Sequence, residues 1–241
     1  MAIIDPDLLL RAYSIGVFPM ADSRDAAEVF WVEPRRRAIL PLDGFRLSKS
    51  LRKTIRSGAF TVTADTAFPE VVRRCADRAE TWINADIEAS YAQLHALGFA
   101  HSIEAWQDGE LAGGLYGVTI GGAYFGESMF SRRTDASKVA LAWLVARLKV
   151  GGFSLLDCQF MTGHLRSLGA VEILQKDYVA LLETALGSAA GAGVVRAGED
   201  ARGAERPDFG ALDRLLAADP ARTVDSPASG CVIAQLLGQT S

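Results

Sequence analysis

The sequence predicts an α+β protein, with a small, mostly helical N-terminal part followed by a mixed β-sheet. Three observations predict this class. Up to residue 97 the apolar residues recur mainly at helical spacing, as in Leu47, Leu51 and Ile55. From Ser102 the pattern becomes strand-like and is divided by two turn signals, Asp108-Gly109 and Gly121-Gly122. A long helical stretch at 136–149 then separates the third of these strands from a fourth, as a crossover within one sheet.

Taken in order, residues 7–15 read as a helix that Gly16 stops. Short strands follow at Phe30-Trp31-Val32 and Ala38-Ile39-Leu40, then the Leu47/Leu51/Ile55 helix and a strand at Thr61-Val62-Thr63. Pro69 opens a helix over 69–79, and Gly98 ends another over 86–97. Strands are expected at 102–107, 111–120 and 123–130. Thr134 or Asp135 caps the 136–149 helix, and Gly151-Gly152 follows its end. A central strand at 153–160, a short helix at 164–168, a strand at 171–174 and a helix at 177–186 complete the sheet region. The Gly- and Ala-rich stretch 187–207 reads as a linker, followed by a helix at 209–217 and a last apolar strand at 231–237. The expected domains are 1–64, a small N-terminal domain carrying the basic helix; 65–186, the sheet domain; and 187–241, a linker with a C-terminal extension.

Composition narrows the function classes. With 49% hydrophobic and 22% charged residues, the chain has the balance of a globular protein with a sizeable core. It has no apolar run long enough for a membrane span, and its N-terminus lacks the basic region of a signal peptide, so a cytoplasmic protein without a membrane partner is expected. Cys75, Cys158 and Cys231 are odd in number and lack metal-ligand spacing, which fits reduced thiols. His95, His101 and His164 likewise lack ligand spacing, and no metal is expected.

Charge placement is more informative than the total of −4. Arg35, Arg36, Arg37, Arg46, Lys49, Arg52, Lys53 and Arg56 are interrupted only by Asp43, a local balance of +7. Lys49, Arg52, Lys53 and Arg56 share one helix face, which points to phosphate binding. The bland reading is a solvated surface, although such faces usually mix signs.

Two strands carry acids among apolar neighbours. Strand alternation places Phe153, Leu155, Asp157 and Gln159 on one face. An acid and an amide there must be paired or used; a structural Asp capping a turn is an equally open reading. Alternation also places Ala123, Phe125, Glu127 and Met129 together, where a carboxylate is raised in pKa unless partners meet it. From the residues alone, a buried salt bridge from Glu127 to Arg132, Arg133 or Lys138 is the favoured reading.

The stretches GVFPM (16–20), PRRRAIL (34–40), TWI (81–83), GESMFS (126–131), ASK (136–138), DCQ (157–159) and HLRSLGA (164–170) occur in this order, and together they resemble the leucyl/phenylalanyl-tRNA protein transferases. The resemblance spans roughly residues 7–182. It implies an acetyltransferase-like sheet domain and an enzyme, an aminoacyltransferase, that moves Leu or Phe, and less readily Met, from aminoacyl-tRNA to proteins with N-terminal Arg or Lys. The added residue marks those proteins for degradation. It further implies that Asp157 and Gln159 act on the reacting groups and that Glu127 contacts the aminoacyl end. Met20, Trp82, Leu115 and Met129 would bind substrate, and Lys49, Arg52, Lys53 and Arg56 would bind tRNA. Many members carry Trp where this chain has Met20, and Asn where it has Asp135.

Such a reaction needs no cofactor, because an aminoacyl ester is already activated. A free α-amine has a pKa of about 7.7–8.0, so a carboxylate that holds the ammonium and helps to remove its proton assists the attack. Asp157 is the expected carboxylate, as a base or as an orienting group, with Gln159 beside it. A monomer is expected. The competing reading is an acyl-CoA-dependent N-acyltransferase, but no pyrophosphate-cradling glycine loop precedes the helix that opens at RRTDASK.

Overall fold

The computed structural model describes residues 3–187, 206–218 and 227–238. Helix α1 (Pro6–Ser14) starts where the Asp5 carboxylate accepts the Leu8 N–H and Pro6 supplies a helical first residue. Its Leu9, Leu10 and Tyr13 are buried. Strands β1 (Phe18–Met20) and β2 (Phe30–Val32) form a small antiparallel sheet of their own, with Met20 opposite Phe30.

The chain then enters a seven-stranded sheet through β3 (Arg36–Ile39). Helix α2 (Lys49–Arg56), capped by Ser48, leads to β4 (Thr61–Ala64) at one edge. Helices α3 (Phe68–Ala76) and α4 (Ala85–Ala96) precede the long meander of β5 (Ala100–Gln107), β6 (Glu110–Ile120) and β7 (Ala123–Ser131). Helix α5 (Ala136–Val150) crosses to β8 (Leu155–Gln159), which lies parallel to β7. Helix α6 (Gly163–Ser167), β9 (Val171–Leu174) and α7 (Gln175–Leu186) follow. The sheet order is β4-β5-β6-β7-β8-β3-β9, and every pairing except β7–β8 is antiparallel. The mixed α+β sheet expected from the sequence is therefore present.

Helices cover both faces. Helix α5 is buried almost all round, as an apolar helix without a polar face must be. It packs in one cluster with α2, α8 (Ala211–Ala217) and α9 (Pro227–Leu236). Helices α1, α3, α4 and α7 pack in a second cluster. Among the described residues no helix is long and apolar enough to cross a membrane, and all three cysteines are free.

Three expectations change. First, the strands within 1–64 divide: β1 and β2 pair with each other, while β3 and β4 are strands of the main sheet. Second, 231–236 lies in helix α9 and Leu237 in the turn after it, where a strand was expected. A short apolar run has no clear period, and tertiary contact decides its conformation. Here a Cβ at Gly230 would stand 2.1 Å from the Ile55 carbonyl, a backbone approach of α9 to α2 that only glycine allows. Residues 188–205 of the expected linker lie outside the described residues.

Third, β7 contains a bulge. Tyr116 faces Ser128 and Gly117 faces Gly126, so Glu127 has no opposite residue on β6. The extra residue reverses the alternation beyond it. Phe125 and Phe130 pack in the α1/α3/α4 cluster, whereas Met129 packs in the α5 cluster. Glu127 and Met129 thus do not share the face that simple alternation assigned to them.

A Cβ at Gly117 would come within 2.2 Å of the Phe125 carbonyl, which fixes glycine opposite the bulge. Gly117→Ala is expected to lower the urea unfolding free energy by about 1–3 kcal/mol, the usual range for forced overpacking. Parent-like stability would show that the bulge yields freely.

Candidate active site

The site lies where β7 and β8 part. Their pairing runs only to Phe125 and Asp157, so Glu127 and Gln159 face one another across the opening.

Asp157 is fully buried, and its carboxylate is saturated. The Arg37 Nε donates to Oδ1 at 2.9 Å and Nη2 to Oδ2 at 2.6 Å, a two-pronged guanidinium–carboxylate pair. Tyr178 donates its hydroxyl to Oδ2 at 3.0 Å, and the Gln159 N–H donates to Oδ1 at 2.8 Å. Arg37 is buried as deeply, and its Nη1 donates to the Gly16 carbonyl at 2.8 Å. Its guanidinium lies over the rings of Phe18 and Tyr178, 4.7 and 4.5 Å from their centroids. Burial acts to lower the Arg37 pKa, but Asp157 outweighs it and the net displacement is upward. The guanidinium thus stays charged, and the pair's hydrogen-bonding capacity is met by protein groups.

Asp157 also sets the backbone. Gln159 has φ of 59°, a left-handed conformation that a non-glycine residue adopts only when its surroundings hold it there. The Asp157 carboxylate holds the Gln159 N–H in an Asx-type turn, and the Gln159 Nε2 donates to Glu127 Oε1 at 2.8 Å. The bland reading of Asp157 as a turn-capping acid therefore describes this arrangement.

Glu127 does not meet Arg132, Arg133 or Lys138, which pair with Asp77, Glu110 and Asp135. Instead Tyr13 and Tyr91 each stand 2.7 Å from one of its oxygens, and their own hydroxyls are 2.5 Å apart. Three O···O contacts thus close a ring. With Glu127 ionised, two hydroxyl protons must serve three contacts; with Glu127 protonated, three protons serve three. Burial is the largest influence and raises the Glu127 pKa to about 7, partly offset by the hydrogen bonds from Tyr91, Tyr13 and Gln159. Burial likewise raises the pKa of both tyrosines well above the usual phenol value, so they remain donors. The bulge supplies this geometry by turning the extra residue towards α1 and α4.

The remaining expected residues divide. Met20 and Trp82 are half-buried and adjoin, because the Ala21 N–H donates to the Trp82 carbonyl at 3.1 Å. Leu115 and Met129 pair across β6 and β7 but pack towards α5, on the other face from Glu127. Lys49, Arg52, Lys53 and Arg56 are exposed on α2 around a depression of about 430 Å³. Among the described residues none of the four has an acidic partner within ion-pair distance. Asp43, the one acid in that run, turns to Lys149 at 2.8 Å. Among the described residues no cluster of three His, Cys, Asp or Glu side chains could hold a metal.

Sequence reasoning missed Arg37, Tyr13, Tyr91 and Tyr178. Arg37 is one of the eight residues of the basic run, and the structure buries it, unlike the α2 cations. Tyr13 and Tyr91 lie on the apolar stripes of α1 and α4, where a buried hydroxyl requires a partner.

Comparisons with known proteins agree with the motifs. The family model described as leucyl/phenylalanyl-tRNA protein transferase N-terminal domain matches residues 3–35, and the model of the transferase itself matches 39–183. The curated leucyl/phenylalanyl-tRNA–protein transferase of Rhizorhabdus wittichii is 65% identical over 248 residues, spanning 100% of both chains. Its namesake in Zymomonas mobilis is 62% identical over 77% of this chain and 70% of its own. The one in Ruegeria pomeroyi is 59% identical over 78% and 89%. A solved structure, L-PGS from Bacillus licheniformis, aligns over 68% of this chain and 55% of its own at 13% identity and a TM-score of 0.37, a likeness too slight to argue from.

Linkage gives a test of the Glu127 environment. A carboxyl raised in the fold binds more protons folded than unfolded between its ordinary pKa of 4.5 and about 7, so its contribution to stability falls as pH rises through that window. Glu127→Gln removes this term. The variant is expected to gain stability relative to the parent between pH 4.5 and pH 8, by roughly 3 kcal/mol at about 1.4 kcal/mol per pKa unit. Urea unfolding at both pH values measures it; a difference independent of pH would place the Glu127 pKa near the ordinary value.

Proposed function

The chain belongs to the leucyl/phenylalanyl-tRNA protein transferase family, and on that premise we propose that it transfers leucyl and phenylalanyl groups, and less readily methionyl groups, to N-terminal Arg or Lys of proteins. It is an aminoacyltransferase using aminoacyl-tRNA and protein substrates. In our reading the added residue marks the acceptor for degradation, and the enzyme works as a cytoplasmic monomer. One apolar pocket accepting Leu, Phe and Met is physically reasonable, since a methylene separates such side chains by only about 1–3 kcal/mol.

The observation that carries the mechanism is Glu127, a buried carboxyl poised near neutrality and tied to Gln159. The attacking α-amine adds to the ester carbon; the new C–N bond forms as the C–O bond to the ribose breaks. A proton must leave the amine and one must reach the ribose oxygen. In this proposal the Glu127 carboxylate, beside the aminoacyl end, takes the proton that leaves the attacking amine, and the protonated ring of Glu127, Tyr13 and Tyr91 returns one to the ribose oxygen. Gln159 donates its amide N–H to Glu127, which leaves its amide oxygen to orient the attacking amine. Asp157, saturated by Arg37, Tyr178 and the Gln159 N–H, acts through Gln159 as a positioning residue. This choice between base and orienting group rests on its lack of exposure.

Met20 and Trp82 would flank the terminal adenosine. Met129, half-buried just past Glu127 on the diverging part of β7, and Leu115 beside it would border the side-chain pocket from the α5 face of the sheet. Lys49, Arg52, Lys53 and Arg56 would hold the acceptor stem through its phosphates. The acyl-CoA alternative is not favoured, because the family and the curated relatives above are named for aminoacyl-tRNA.

Incubation with leucyl-tRNA and a peptide beginning with Arg is expected to yield the peptide extended by Leu, with no acetylation from acetyl-CoA. Glu127→Gln should lower transfer on the order of 10²-fold and abolish a pH step near 7. Replacing the four α2 cations by Ala should reduce the slope of log K for tRNA against log salt by about 0.7–0.9 per lost contact. Absence of extended peptide, or acetyl-CoA turnover, would overturn the assignment. An unchanged salt slope would make α2 a solvated surface.

A further inference from the structure

A second basic surface lies on the Glu127 side of the sheet. Arg24, Arg73, Arg74 and Arg78, with Glu70 and Asp77, line a cleft of about 820 Å³ beside the end of α3. Several of these charges are partly spent. Arg73 and Arg74 both pair with Glu70, Arg24 pairs with Glu88 at 2.6 Å, and Asp77 pairs with Arg132 at 2.8 Å. Five guanidinium groups nevertheless stand against three carboxylates, which leaves a net positive cleft.

Arg78 is the informative member. Among the described residues it has no acid within ion-pair distance. Its Nη2 donates to Ser128 Oγ at 2.8 Å and to the Met129 carbonyl at 3.3 Å, and its Nε donates to the Cys75 carbonyl at 2.8 Å. Ser128 and Met129 directly follow Glu127, so this guanidinium is fixed against the strand that carries the site. On the other side Arg24 donates to the Ile83 carbonyl at 3.0 Å, next to Trp82. The cleft therefore runs between the Trp82–Ile83 segment and β7. Helix α2 packs in the α5 cluster, across the sheet, and cannot supply cations here.

We propose that this cleft is a phosphodiester subsite, in which Arg73 and Arg78, supported by Arg24 and Arg74, hold the backbone phosphates of the single-stranded nucleotides preceding the terminal adenosine of the donor. The inference rests on aminoacyl-tRNA being the donor. Planar guanidinium forks match the paired oxygens of a phosphodiester, and several forks in one open cleft can follow a flexible backbone without reading its bases. The competing role is local: cations in the last turn of α3 oppose its dipole, and Arg78 closes its C-terminal carbonyls.

Two donors distinguish these roles. Phenylalanyl-adenosine carries no phosphodiester, whereas a phenylalanyl-CCA trinucleotide carries the single strand without the acceptor stem. The quantity read is the ratio of kcat/KM for the trinucleotide to that for the adenosine donor, measured within each protein. In Arg73→Gln/Arg78→Gln this ratio is expected to fall about tenfold from the parent value, and the salt dependence of trinucleotide use should weaken by about 0.7 per phosphate lost. A ratio equal to the parent's, whether or not both rates drop, overturns the subsite and leaves these arginines as helix-end and ion-pair groups. A parent protein that uses neither these donors nor charged tRNA overturns the reading of function, and the subsite with it.

Discussion

The ion pair between Arg37 and Asp157 is the interaction on which the rest of the site depends. Neither charge reaches solvent, and each would be costly to bury alone. Together they tie four parts of the chain: β3 through Arg37, β8 through Asp157, α7 through Tyr178, and the turn after α1 through the Gly16 carbonyl. The same carboxylate holds the Gln159 backbone in its left-handed turn. A buried pair can contribute little net stability and still specify one arrangement, and here that arrangement aims the Gln159 amide at Glu127.

A second constraint meets the first across the opening between β7 and β8. The bulge at Glu127 adds a residue to β7 without an opposite on β6, and Gly117 makes room for it. The carboxyl is thereby delivered to Tyr13 and Tyr91, which come from helices on the same face of the sheet. Burial without a cation explains why this acid lies near 7, while the acid on the adjacent strand is met by the Arg37 guanidinium. Two carboxyl groups joined through one glutamine thus have different environments, and in the proposed mechanism that difference divides proton exchange from positioning.

Much of this was legible in the sequence. The mixed sheet followed from Asp108-Gly109, Gly121-Gly122 and the long apolar α5 stretch ended by Gly151-Gly152, all local signals. DCQ and GESMFS marked the two strands, β8 and β7, that carry the candidate site. The errors arose where long-range contact overrode a local pattern. Alternation cannot reveal a bulge, so Met129 was assigned to the face of Glu127. A run of arginines reads as surface, and only the fold shows that Arg37 points inward to an acid 120 residues away. The 231–236 run is helical and packs on α2, where Gly230 just before it allows a close backbone approach.

The most direct measurement is transfer activity in a double-mutant cycle on the buried pair, using Arg37→Met, Asp157→Leu and the two combined. Each single variant strands one charge and is expected to lose about 3–5 kcal/mol of stability, much of which the apolar double variant should regain. The account predicts that the double variant, folded and stable, still fails to transfer, because Gln159 has lost the carboxylate that fixes its turn. A stable double variant that transfers at the parent's rate would contradict it, by showing that Glu127 and Gln159 find their positions without the pair.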